Sequence, residues 1–178
     1  MEGEDDEDEE EMPDMDTGKQ LEEEEERGQI SLHTLEGHPS EKIIKIRGNI
    51  GKRKLLILID SGSSHSFLDE STTKELLCIL QPTIPLYVMV ANGHKMISRY
   101  KCQGFTWRMQ GHEFSVELRI LQLGGCEVVL GVDWMKTVNP LIFDFNTLEV
   151  TFDKGGRRII LTGSGDGGKC KAILGSDL

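Results

Sequence analysis

The sequence predicts a mostly β, single-lobed fold with one or two short helices. Three observations lead there. Apolar runs are short and β-prone throughout. Gly, Pro and Asn-Gly breaks separate them at close intervals. Phe114, Val116, Leu118 and Ile120 alternate with other residues, the period of a strand with one buried face.

Of the 178 residues, 37% are hydrophobic, which is low for a compact fold of this length. The deficit is localised. Residues 1–28 hold sixteen Asp or Glu against one Lys and one Arg, a net of −14. The whole chain has 31 acids and 20 bases, which leaves 15 and 18 for the remainder, about +3. Runs such as EDDEDEEE and LEEEEER repel themselves and bury too little apolar surface to offset ordering entropy. Residues 1–28 are therefore read as an acidic disordered tail, a solvated spacer or a segment that docks on a basic partner. No apolar run approaches the ~18 residues of a membrane span, and acids follow Met1 where a signal peptide needs basic and apolar residues. The expectation is an intracellular, cytoplasmic protein without a membrane partner.

Taken in order, Ile30–Leu35 reads as a short strand broken by Glu36-Gly37-His38-Pro39-Ser40. A second strand covers Ile43–Arg47, and Gly48-Asn49-Ile50-Gly51 turns it back into Leu55–Ile59. A helix is predicted over about Ser71–Leu80, with Thr72 and Glu75 at capping-box spacing and Pro82 and Pro85 ending it. Leu86–Val90 and Met96–Tyr100 flank Ala91-Asn92-Gly93-His94, where Asn-Gly supplies the positive φ of a hairpin turn. Strands follow at Phe105–Met109, Phe114–Leu121 and Cys126–Leu130. A helical turn at Val132–Thr137 precedes strands at Leu141–Phe145, Leu148–Phe152 and Arg158–Leu161. Residues 164–178 read as a flexible Gly-rich linker, and 29–163 as the folded domain.

Several motifs lead nowhere. Cys78, Cys102, Cys126 and Cys170 form no CxxC pair, so neither a zinc framework nor a secreted disulfide scaffold is indicated. His112-Glu113 lacks the second histidine of a metalloprotease helix, and Gly111 beside it argues for a turn. Gly163, Gly165 and Gly168 satisfy GxGxxG, but too little chain follows for the helix and returning strand of a dinucleotide site. No basic cluster exceeds Lys52-Arg53-Lys54, which disfavours a nucleic-acid partner.

The stretch with chemistry is Leu55–Phe67, LLILIDSGSSHSF. Five aliphatic residues carry Asp60 to the end of a buried strand, where an ionised group costs several kcal/mol unless it is paired or hydrogen-bonded. Asp-Ser-Gly in that position is the form of an aspartic-protease turn. Such chemistry needs two carboxylates within about 3 Å sharing one proton. Ser61 can brace the turn, Gly62 lets the backbone approach the carboxylate, and the hydroxyl of Ser63 is spaced to bond it. A second triplet, Asp16-Thr17-Gly18, follows acids where a buried strand is needed and is set aside as a chance match. Two copies of the chain must then supply the pair, which implies a homodimer.

ILIDSGSSHSF, the VANG hairpin at Val90–Gly93 and VVLGVDWM at Val128–Met135 resemble, in order and spacing, blocks of the retropepsin-like aspartic proteases of gypsy-type LTR retrotransposon polyproteins. The resemblance runs from about Leu32 to Gly163. It implies a closed, mostly antiparallel retropepsin-like (acid protease) barrel with Asp60 as the catalytic residue. It also implies a flap made by Val90, Ala91, Asn92 and Gly93, and Leu130-Gly131 crossing behind the active-site turn. Trp134 and Phe67 are expected in the core, Asp133 as a helix N-cap and His65 as structural. A surface hairpin is the competing reading of Asn92-Gly93. The implied function is cleavage of an extended peptide or polyprotein substrate by water activated at Asp60, with no cofactor and no metal. The alternative is a catalytically inactive or domesticated dimerisation or peptide-binding module of the same fold.

Overall fold

The computed structural model of the chain describes residues 26–30, 43–90 and 93–164. Along them lie β1 (Glu26–Ile30), β2 (Ile43–Ile50), β3 (Arg53–Asp60), β4 (Phe67–Asp69), α1 (Glu70–Glu75), β5 (Leu80–Val90) and β6 (Lys95–Met109). There follow β7 (His112–Leu121), β8 (Val128–Leu130), α2 (Val132–Met135), β9 (Ile142–Asp144), β10 (Glu149–Lys154) and β11 (Arg157–Thr162). The mostly β, single-lobed architecture is the predicted one.

Eight strands form one sheet in the order β1-β5-β6-β2-β3-β8-β4-β7, and a further β6–β7 pairing returns its far end to the third strand. The ring β6-β2-β3-β8-β4-β7 thus closes on itself and removes most exposed strand edges. β11-β10-β9 make a small antiparallel sheet beside it.

β3 is central because it is apolar on both faces. It runs antiparallel to β2, and it lies parallel to β8 with Ile57, Leu58 and Ile59 opposite Val128, Val129 and Leu130. Side chains alternate along a strand, so Leu55, Ile57 and Ile59 enter one core with Ile44, Ile46, Val128 and Leu130. Leu58 enters a second with Phe67, Leu86, Val88 and Val129. Burial on both faces explains five consecutive aliphatics where a one-sided strand would alternate.

Aromatic rings join the small sheet to the ring of strands. Phe105 lies 5.9 Å from Trp107, Trp107 5.7 Å from Phe114, and Phe114 6.3 Å from Trp134. Phe152 of β10 meets both Phe114 and Trp134 edge-on, at 6.2 and 5.7 Å. Trp134 and Phe67 are buried, as expected of core residues.

Elements differ from expectation where a distant partner decides the local conformation. The hairpin turn after β2 sits at Gly51-Lys52, with Gly51 at φ +55°, and not at Gly48–Gly51. Gly48 stays in the strand opposite both Leu55 and Met109, and a Cβ there would come within 2.6 Å of Arg108 O. The helix predicted to Leu80 ends at Glu75, because Leu80 pairs with Cys102 and starts β5. No capping box forms. Asp69 is the N-cap, and Glu75 accepts instead from Arg53 at 2.8 Å. Pro82 and Pro85 lie within β5, where the register slips between Pro82 and Leu86, since proline has no N–H for a ladder. Gly111, at φ +84°, turns β6 into β7, and His112 begins a strand.

The chain is already a strand at Glu26, inside the acidic segment drawn to residue 28, because β1 pairs with Leu86–Val90 of β5. The rest of that segment, most of the strand and break expected over 30–40, and the linker beyond residue 164 lie outside the described residues. Cys78, Cys102 and Cys126 are free thiols. Burial, then the neighbouring Cys78, pushes the Cys102 thiol up to about 11.

The aromatic chain makes a stability prediction. Trp107 is buried, and its indole N–H has no partner among the described residues. Trp107→Ala is expected to lower the unfolding free energy by about 3–5 kcal/mol. Trp107→Phe, which also removes the unpaired N–H, should cost under about 1.5 kcal/mol. Urea denaturation of both variants checks the ordering, and equal losses would contradict it.

Candidate active site

Asp60 ends β3 with its side chain buried. The turn that follows is folded around the carboxylate. Gly62 N–H donates to Oδ1 at 2.8 Å, the Ser63 hydroxyl donates to Oδ2 at 3.1 Å, and Ser63 N–H donates to the Asp60 carbonyl at 3.2 Å. Each carboxylate oxygen therefore meets a fixed donor, which offsets the loss of water around a buried anion. Ser61 and Gly62 are exposed at the tip, whereas Ser63 is fully buried beneath them.

A second layer of polar contacts holds the turn from behind. Val132 N–H donates to Ser63 O at 2.8 Å, and Gly131 N–H donates to the Ser66 hydroxyl at 2.9 Å. The Ser66 hydroxyl in turn donates to Asp133 Oδ1 at 2.5 Å, while Ser66 N–H donates to Oδ2 at 3.1 Å. Leu130, opposite Ile59, brings this segment alongside β3. Glycine at 131 follows from the close approach: a Cβ there would lie 2.3 Å from His65 O and 2.5 Å from Ser63 O. Asp133 differs from the helix N-cap expected of it. Gly131 occupies that position, and the Asp133 carboxylate is taken by Ser66 and by Trp134 N–H at 2.6 Å.

Further along, the Asp69 carboxylate is mostly buried and accepts from Leu123 N–H at 2.8 Å and from the Ser71 hydroxyl. It ties the end of β4 to the loop after β7. Cys126 lies in the same electrostatic neighbourhood. Burial pushes its thiol far up, and the carboxylates of Glu127, Asp69 and Asp60 add to the shift. His65 shares a contact of 2.8 Å between its Nδ1 and the Ser64 hydroxyl, and its ring is 6.5 Å from that of Phe67.

The hairpin between β5 and β6 closes through Val90 N–H to His94 O and Gly93 N–H to Val90 O, both 2.9 Å, with Gly93 at φ +87°. The Val90 side chain is buried with Leu86 and Val88, so it anchors the hairpin. Ala91 and Asn92 lie outside the described residues. The structure thus gathers Asp60, Ser61, Gly62, Ser63, Leu130 and Gly131 in one place, and sets Val90 and Gly93 on the hairpin. One cleft among the described residues lies away from this cluster. It is lined by Lys45, Arg53, Glu70 and Glu127 among others, and by no residue of the Asp60 turn or the hairpin.

Sequence reasoning missed Ser66 and the bracing role of Asp133. SGSSHS offers three further hydroxyls after Ser61, and nothing local distinguishes the one that meets a carboxylate 67 positions away.

The sequence profile described as retroviral aspartyl protease matches residues 28–157. The enzymatic polyprotein of Soybean chlorotic mottle virus is 25% identical over 114 residues, which is 64% of this chain and 16% of that protein. The chain therefore spans a small part of the relative's length. Among solved structures, the retroviral protease-like domain of Ddi1 from Leishmania major is similar with a TM-score of 0.53 at 13% identity, over 70% of this chain and 96% of that one. A retropepsin-like aspartic protease from Rickettsia conorii gives a TM-score of 0.43 at 16% identity, over 60% and 80% of the two chains.

Ser66 provides the test of this framework. Ser66→Ala leaves the Gly131 N–H and the Asp133 carboxylate each short of a partner. It should destabilise the fold by about 1–3 kcal/mol. A loss below about 0.5 kcal/mol by chemical denaturation, the scale of an unremarkable surface change, would contradict the bracing role.

Proposed function

This chain belongs to the retroviral aspartyl protease family, and from that membership we propose that it is an aspartic endopeptidase whose active site forms between two copies. The observation that carries the reading is the Asp60 carboxylate, buried at the end of β3 and held by Gly62 N–H and the Ser63 hydroxyl. The sequence holds Asp-Ser-Gly once, at Asp60, so a twofold axis between the two Asp60 turns supplies the second carboxylate.

The chemistry follows from one proton shared by two carboxylates. The ionised carboxylate takes a proton from water as the water oxygen attacks the scissile carbonyl carbon, and the protonated one donates a hydrogen bond to the carbonyl oxygen. Collapse of the tetrahedral species breaks the C–N bond, and a proton passes from the carboxyl pair to the leaving amine. The rigid turn keeps Asp60 in one orientation, which such a step requires. The β5–β6 hairpin is the flap, and Leu130-Gly131 backs the turn. The substrate class is an extended peptide, and the resemblance to gypsy-type proteases supports polyprotein processing as its setting.

A second reading, a non-catalytic module that binds peptides by strand addition, draws on one observation: β5 already accepts β1 as an added strand. Turnover separates the two.

Asp60→Asn should reduce peptide hydrolysis by about 10²–10⁴-fold, with the circular dichroism spectrum and sedimentation coefficient unchanged. Hydrolysis retained by this variant would overturn the assignment. The pH profile should be bell-shaped and lie in the acidic-to-neutral range, because activity is lost once both carboxylates are ionised at high pH or both protonated at low pH. A rate climbing steadily from neutral into alkaline pH would contradict the shared proton.

A further inference from the structure

β1 takes no part in the closed ring. It lies on the outer edge of β5, parallel to it, with Glu26 opposite Leu86 and Ile30 opposite Val90. Val90 donates its N–H to His94 across the hairpin, so by strand alternation the N–H groups of Tyr87 and Met89 point to the opposite edge, the one β1 covers. Gly28, opposite Val88, is the tight point. A Cβ there would stand 3.1 Å from His65 Nδ1 and 3.2 and 3.3 Å from the two Leu86 methyls. His65 belongs to the loop that Asp60 opens, and Leu86 belongs to the flap arm. β1 therefore runs between the two parts of the proposed site.

An extended peptide bound for cleavage has to lie between the flap and the Asp60 turn, and the main-chain groups it would use on the flap edge are those facing β1. We propose that residues 26–30 are an internal competitor for substrate, a strand that occupies the flap edge and keeps the site latent until it leaves β5. The proposal rests on the reading of Asp60 as catalytic and the hairpin as the flap. The five-residue pairing is parallel, and such ladders are slightly weaker per residue than antiparallel ones, which lowers the cost of releasing β1. A site open only in the fraction of molecules whose β1 has left shows an apparent affinity reduced by that fraction.

The test uses the full chain as wild type, Gly28→Val and Gly28→Pro. The first variant sets a branched side chain against His65 and Leu86, and the second removes a strand N–H. Hydrogen exchange at individual amides, binding of a pepstatin-type transition-state mimic and turnover of a peptide library are measured on all three. Both variants should exchange at Tyr87 and Met89 about tenfold faster or more, with Leu86 and Val88 unchanged, and should bind the mimic about tenfold tighter. Tyr87 and Met89 exchanging as fast in the wild type as in the variants would overturn the proposal, and so would unchanged affinity for the mimic. Tighter binding without turnover in any form would uphold the competitor and overturn the endopeptidase. Faster exchange with equal binding and equal turnover would do the reverse.

Discussion

The structure depends on how a carboxylate is kept at the end of a strand that is apolar on both faces. Asp60 inherits the burial of Leu55–Ile59, so its two oxygens must find donors within the protein. They come from a turn of minimal size, Gly62 N–H on one side and the Ser63 hydroxyl on the other. Ser61 and Gly62 of the turn are exposed, and only Ser63 is buried. The turn's rigidity is borrowed from β8 and α2 through the bonds at Gly131, Val132, Ser66 and Asp133. The order of dependence runs from core strand to carboxylate, from carboxylate to turn, and from turn to the segment behind it.

Gly131 shows how steric and polar demands converge on one residue. Its N–H is needed for Ser66, and its missing side chain is needed for the carbonyls of Ser63 and His65. Any side chain there would push the brace off the turn. Gly48 plays a comparable part at the other end of β3, where it lets β2 approach β6. The central strand is thus bounded at both ends by places where backbone must come close to backbone.

Much of this was legible in the sequence because it is local. The aliphatic run, the Asp-Ser-Gly turn, the three-residue step from Asp60 to Ser63 and the Gly93 hairpin each declare themselves within a few positions. What stayed hidden depends on long-range pairing. Leu80 and Pro82 look like the tail of a helix and its stop, yet Cys102 and Tyr100 make a strand of them. Asp133 looks like a cap, yet Ser66 takes its carboxylate. β1 begins on the last of five consecutive glutamates, and its pairing with β5 sixty residues away overrides that composition. Local preference sets the menu, and tertiary partners choose from it.

The aromatic chain from Phe105 to Phe152 has an optical consequence. The protein contains two tryptophans, Trp107 and Trp134, and both lie in that chain, the first against Phe114 and the second between Phe114 and Phe152. Trp134 also follows Asp133 directly and donates its main-chain N–H to that carboxylate. Intrinsic indole emission is therefore a local gauge: it arises wholly from the seam where the small sheet meets the ring of strands, one residue from the bracket that holds the Asp60 turn.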